Sequence, residues 1–304
     1  MSANNAFINV TRGSGREFVT VAVIVRELAA RYKKVYCAAL NYEFADALSM
    51  ELLNVVPLKQ HEIGSFFNAN WSALRGDLDL FTEEPYNLGA FGMRRVGFID
   101  AYRYVCGLSD KKTSDGPSEI EPFIKPPADI ISAAEQFAKE HKKFVIAQFW
   151  GGQNPAGVPP NQPYQYEEAG LKRHYPIEMA NELCALLKAD GYEILHYALP
   201  NEPQIKDAVY MQSVMPQLFY HELVKHAEGV ITIDSSLMHL AVRNAKKMVV
   251  IWVHTSPLSF GYKKAVNLRK VADDDIGGPS MGMVPLNPVV TYPSPQEVFE
   301  AFKK

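Results

Sequence analysis

The residues best suited to chemistry gather in one stretch, Glu228 to Tyr262, EGVITIDSSLMHLAVRNAKKMVVIWVHTSPLSFGY. Asp234, Ser235 and Ser236 follow a β-branched run, Val230 to Ile233. Leu237 to Ala245 has helical spacing, with His239 one turn in. Met248 to Val253 is a second apolar run, broken by Thr255-Ser256-Pro257. Two apolar strands joined by a short helix predict a βαβ unit of a parallel sheet. Ligands of such sheets sit beyond the carboxyl ends of the strands. The spacing therefore places a carboxylate and two hydroxyls at one such end, and His254 to Ser256 at the next.

A second candidate lies near the start. Gly13-Ser14-Gly15 falls between a predicted strand, Ala6 to Val10, and a predicted helix, Glu17 to Tyr32. A glycine-rich turn that opens a helix can hold an anion on backbone N–H groups. It can equally be a tight turn that needs glycine dihedrals. A dinucleotide fingerprint would require a third glycine, which is missing.

The elements around these sites alternate. Val35 to Leu40 reads as a strand, Phe44 to Leu53 as a helix and Val55 to Leu58 as a strand, the opening of a doubly wound unit. Phe66, Phe67, Trp71, Phe81 and Tyr86 lie in a stretch that reads either as an acceptor-binding loop region or, the favoured reading, as aromatic packing under long loops, and Tyr86 to Leu108 reads as mostly helical. Asp110 to Pro127 has the Pro, Ser, Lys and Asp content of a linker. Helix and strand then alternate again, with strands at Phe144 to Phe149 and Tyr192 to Tyr197, helices at Asp129 to His141, Tyr175 to Ala189 and Pro216 to Ala227, a long loop from Trp150 to Gly170, and a closing helix from Ser294.

Composition narrows the classes. The chain has 304 residues, net charge −3, 47% hydrophobic and 21% charged residues. That suits two domains with sizeable cores and carries no global basic bias of a nucleic-acid binder. Three dispersed cysteines argue against a disulfide framework. No apolar run reaches 18 residues, so no membrane span is expected. The first residues lack a basic segment followed by an apolar one, and a cytoplasmic location is expected.

The segment Asp234-Ser235-Ser236-Leu237-Met238-His239-Leu240-Ala241 resembles the D-[TS]-[GS]-x-x-H-L-[AS] motif of the bacterial heptosyltransferases, glycosyltransferase family 9. Thr255-Ser256-Pro257 with Gly261-Tyr262, Tyr175-Pro176, Glu202 and Phe44-Ala45-Asp46-Ala47-Leu48 resemble further family segments in family order. The resemblance implies an α/β GT-B fold of two Rossmann-like domains facing a cleft. The expected divisions are an acceptor domain over residues 1–116, a linker over 117–128, a donor domain over 129–290 and a closing helix over 291–304 that packs back toward the first domain.

The resemblance further implies inverting transfer from a nucleoside-diphosphate sugar, ADP- or UDP-linked, with no metal or other cofactor required. Ser235, Ser236 and the N–H groups after them would hold the diphosphate. Asp234 and His239 would contact phosphate or sugar, Glu202 a ribose or sugar hydroxyl, and Lys172 or Arg173 the diphosphate, with Thr255 and Ser256 completing the donor site. Arg12, Gly13, Ser14 and Gly15 would meet the acceptor, a lipopolysaccharide-type glycan or a hydroxylated nucleic-acid base. Asp273-Asp274-Asp275 sit in a late loop and are not read as a metal site.

One departure matters. The family opens with G-x-G-D, whose aspartate acts as general base. Here the residues are Gly13-Ser14-Gly15-Arg16-Glu17. The catalytic positions are read at Arg16 and Glu17, of which only Glu17 can take a proton; a carboxylate in a helix's first turn is its other reading. Loss of the base motivates a rival, a non-catalytic sugar-nucleotide or glycan-binding protein.

Overall fold

Among the described residues of the computed structural model, the strands form two wholly parallel sheets. The described residues are 4–10, 14–81, 85, 88, 90, 95–111, 113, 114, 116–151, 174–198, 202–212, 215–253, 255–270 and 291–304. The first sheet holds β1 (Asn5–Val10), β2 (Lys34–Ala39), β3 (Val55–Lys59) and β4 (Leu78–Phe81) in the order β3-β2-β1-β4. The second holds β5 (Phe144–Ala147), β6 (Glu193–Ala198), β7 (Ala208–Gln212), β8 (Gly229–Ile233), β9 (Met248–Trp252) and β10 (Val266–Arg269) in the order β10-β9-β8-β5-β6-β7. Strands β5, β8 and β9 are buried at every residue. Their near-continuous apolar runs, interrupted only by the β-branched Thr232, are what a parallel sheet covered on both faces demands.

The first helical run starts earlier than its periodicity suggests. α1 (Ser14–Val19) continues through π-helical turns, Thr20–Val25, into α2 (Arg26–Ala29). All six residues of the π segment are buried, and Thr20 Oγ1 donates to the Arg16 carbonyl at 2.8 Å. A hydroxyl bonded back four residues competes with the helical ladder and favours such a widened turn. α3 (Tyr42–Glu51) follows β2.

The aromatic stretch is not loop. It forms α4 (Ile63–Leu74), whose Phe66 and Phe67 pack on Phe7 of β1, with Phe66 also against Tyr36 of β2. It leads into β4, beside β1. Between Tyr86 and Leu108, α5 (Phe98–Val105) is the described α-helix. β7 and β10 are further strands beyond the expected ones.

In the second half, α6 (Ala128–Glu140), α7 (Ile177–Ala189), α8 (Gln217–Leu223), α9 (Ser236–Ala241) and α10 (Pro257–Phe260) precede α11 (Pro295–Lys303). The closing helix differs from expectation. α11 packs on α7 and β9 of the second half, not back toward the first. Its apolar residues Val298 and Phe302 are buried there, and Lys247 Nζ donates to the Phe302 carbonyl at 3.4 Å.

This packing explains a glycine. A Cβ at Gly229 would lie 2.5 Å from Phe302 Cε2 and 3.0 Å from the Lys247 carbonyl oxygen. Gly229→Ala is expected to push α11 off the sheet and lower stability by about 2 kcal/mol, read as a drop in melting temperature. Phe302→Leu in the same chain should return part of the loss.

Two apolar clusters fill the molecule. One lines the far side of the second sheet under α7 and α11. The other runs without a break from the first sheet, through Phe18 and Phe44, to α6, α8 and α9.

Candidate active site

Strand β8 ends at Ile233, and the chain turns through Asp234 and Ser235 into α9. Ser235 is extended, with φ −149° and ψ 176°, and its side chain does not cap the helix. Its hydroxyl instead donates to Gln148 Oε1 at 2.6 Å and lies 2.9 Å from Thr232 Oγ1. Ser235 therefore ties the ends of β5 and β8 together. Ser236, half-buried, bonds the Tyr197 hydroxyl at the end of β6.

His239 lies one turn into α9 and is 5% exposed. Its Nδ1 is 2.7 Å from the Tyr262 hydroxyl, and the two rings meet edge to face. Tyr262 is fully enclosed. Burial, reinforced by the negative charge of Asp234, pushes its hydroxyl well above the ordinary tyrosine value, so the phenol stays protonated. Asp234, His239 and Tyr262 thus form one buried polar group. Tyr262 is fastened from outside by a bridge to Ser118, whose N–H donates to the Gly261 carbonyl and whose carbonyl accepts from Lys263.

The N-terminus of α1 meets this group. A Cβ placed at Gly15 would lie 2.7 Å from His239 Cδ2 and 2.9 Å from Ser236 Cα. Both are positions no side-chain carbon occupies, so only glycine permits this approach of the two halves. Two helix N-termini, each the positive end of a peptide dipole, converge at the junction.

Glu17 is brought elsewhere. Successive residues turn about 100° around a helix, so Glu17 points about 200° away from Gly15. Its carboxylate is fully buried. Oε1 accepts from Leu40 N at 2.6 Å and Asn41 N at 3.2 Å, and Oε2 accepts from the Asn41 side chain. Burial raises its pKa above the ordinary carboxylate value, and these hydrogen bonds pull the other way. The reading of Glu17 as a base aimed at the junction is corrected: the carboxylate holds the turn between β2 and α3. Arg16 is half-buried beside it.

The other candidates divide. Ser256 accepts from Leu258 N at 3.2 Å and caps α10. Thr255 is buried, and its hydroxyl has no hydrogen-bond partner among the described residues. Glu202 follows β6 near enough for its charge to raise the hydroxyls of Tyr197 and Tyr210, secondary to burial. Ser14 opens α1. Arg12, Gly13, Lys172 and Arg173 lie outside the described residues, as do His254 and Asp273 to Asp275. Among the described residues, no three His, Cys, Asp or Glu side chains gather as a metal site.

Gln148 and Tyr197 escaped the sequence reading, although each is a polar group within the last residues of an apolar strand. Tyr262 was visible only as part of a Gly-Tyr pair.

No family model matches the sequence, and no curated protein matches it. Solved structures do match. The glycosyl transferase family 9 protein of Veillonella parvula superposes with a TM-score of 0.63 at 12% identity, covering 100% of this chain and 97% of that one. Escherichia coli ADP-heptose lps heptosyltransferase II gives 0.61 at 14% identity, covering 98% and 97%. Escherichia coli heptosyltransferase WaaC with ADP gives 0.51 at 13% identity, covering 88% and 93%. From end to end, then, this chain is similar in fold to the heptosyltransferases of glycosyltransferase family 9.

Proposed function

We propose that the chain is a glycosyltransferase that moves a sugar from a nucleoside-diphosphate donor to an acceptor hydroxyl, with inversion and without a metal. The observation that carries this is the meeting of Gly15 with Ser236 and His239, which sets the first half against the residues that resemble a donor cradle. The second half, residues 129–290, takes the donor, and residues 1–116 take the acceptor, with the cleft between them. ADP is the favoured nucleotide, since WaaC was solved with ADP, and a lipopolysaccharide-type glycan is the favoured acceptor.

The chemistry follows from the placement. Ser236 and the N–H groups opening α9 stabilise charge on the departing diphosphate. Lys172 and Arg173 add positive charge. Asp234 and His239 hold the sugar end, and Glu202 holds a ribose hydroxyl. Contact between the halves orients the acceptor hydroxyl and excludes water, which supplies much of the rate.

A second reading has its own observation. With Arg16 in the place of the family aspartate and Glu17 buried against Leu40 and Asn41, a donor-binding protein without turnover is the rival. Thermal shift against ADP and UDP tests what the two readings share. A ligand at a hundredfold excess over Kd adds about 2.7 kcal/mol, so a clear upward shift is expected for ADP. A flat response to both nucleotides would sink both readings. Release of ADP from an ADP-sugar in the presence of glycan then separates enzyme from binder.

A further inference from the structure

α8 starts without a cap of its own. Its N-cap residue is Pro216, whose side chain has no acceptor, and the helix makes no side-chain cap bond from that position. The acceptor comes from the other half of the molecule. Glu43, in the first turn of α3, accepts from Gln217 N at 2.9 Å through Oε1 and also bonds the N–H of Leu218. A carboxylate on the first N–H groups of a helix both satisfies them and complements the dipole.

The contact does not end there. The Gln217 side chain donates through Nε2 to the Tyr197 hydroxyl at 3.1 Å. Tyr197 in turn bonds the Ser236 side chain. Ser236 opens α9 and touches Gly15 of the first half. The path runs from Glu43 through Gln217 and Tyr197 to Ser236, and closes on the first half again.

We propose that Glu43 is a positioning residue, a helix cap supplied across the junction that orders the donor cradle through Gln217, Tyr197 and Ser236 when the halves are together. It rests on the donor reading of Ser236. The cap gives the first half a direct hold on the donor site without touching the donor. Donor affinity thereby depends on a residue of the acceptor half.

The test uses the full chain, with ADP as the probe. Glu43→Ala is expected to weaken ADP binding about tenfold, the effect of one lost cap. Glu43→Gln keeps an acceptor oxygen and should fall between parent and Glu43→Ala. Tyr197→Phe should weaken ADP binding by a similar factor, and the double variant should be no worse than the weaker single one, because both changes cut one path. Affinities are measured by calorimetry at a temperature where each variant is folded, so a loss of stability alone would not move them. Unchanged ADP affinity in Glu43→Ala, or fully additive losses, overturns the proposal. Hydrogen exchange at Gln217 and Leu218 reads the cap without any ligand. Faster exchange there in Glu43→Ala supports the cap, and parent-like exchange overturns it. A parent chain that binds no nucleoside diphosphate overturns the donor reading and the coupling built on it, while the exchange rates still decide the cap.

Discussion

If the chain transfers sugar as proposed, Gly15→Ala is expected to reduce that transfer by about a hundredfold while the chain stays folded. The added carbon would stand 2.7 Å from His239 Cδ2 and 2.9 Å from Ser236 Cα. Neither neighbour is a flexible side-chain end. The His239 ring is held by Tyr262 at 2.7 Å, and Ser236 contributes backbone at the first residue of α9. The halves must therefore separate by a fraction of an ångström to an ångström, the scale of misplacement that costs about a hundredfold in rate. Turnover at saturating donor reads the effect, and a high-resolution crystal structure of the variant reads the separation. Parent-level turnover in Gly15→Ala would show that the contact is incidental to transfer.

The second large effect concerns acid. His221 and His196 are both fully buried. Burial lowers each to about 4 from the ordinary 6.5. At His221, Nδ1 lies 2.6 Å from the Leu240 carbonyl, and the amide nitrogen of Asn244 faces Nε2 at 3.3 Å. That amide is oriented by its bond to the His221 carbonyl. A neutral ring satisfies both partners, whereas a protonated one would set a second N–H against the amide.

The sign follows from the depressed values. Above pH 6.5 both histidines are neutral folded or unfolded, and their stabilisation is fully present. As pH falls from 6.5 toward 4, the unfolded chain takes up protons that the folded chain refuses, and stability is lost. By pH 4.5 the loss is about 2 kcal/mol for each histidine. Glu17 and Glu43 have raised pKa values, mainly through burial. They act oppositely, adding stability as they protonate, so they offset part of the loss at the acid end of the window.

Urea melts at pH 7, 5.5 and 4.5 should show this fall. His196 packs among Phe149, Trp150 and Tyr210, and its ring nitrogens have no hydrogen-bond partner among the described residues. His196→Leu should therefore flatten about half of the acid slope. An unchanged slope would mean that His196 takes up its proton equally in the folded and unfolded chain, with no depression by burial.

Much of the second half was legible because its strands carry their own signal. Met248 to Val253 is apolar throughout and Val230 to Ile233 is apolar but for the β-branched Thr232, and parallel strands buried on both faces leave that mark. β7 and β10 lie at the two edges of the sheet, are partly exposed, and blend into the polar sequence around them. α4 was missed because its partner is far away in sequence: Phe66 and Phe67 have meaning only once Phe7 and Tyr36 stand beneath them.

At the candidate site, Asp234, Ser236 and His239 were singled out by their types and spacing, and the fold brings them near one another after β8. Glu17 was misread for a geometric reason. Sequence places it two residues from Gly15, and helical rotation then sends it to the opposite side. Glu43 and Tyr197 gave no signal, because each acts on a residue of a different element.

The unbroken apolar cluster has a consequence for how such a protein can diversify. Phe18 of the first half packs on Phe44 and on His221 of the second, and Phe123 lies against the same His221. The two halves share one core, so they should melt as a single cooperative unit rather than as two modules. Exchange of first halves between proteins of this fold would then work only when Phe18, Phe44, Phe123 and His221 travel as a matched set. Proteins of this fold should vary through their surface loops far more readily than by trading halves.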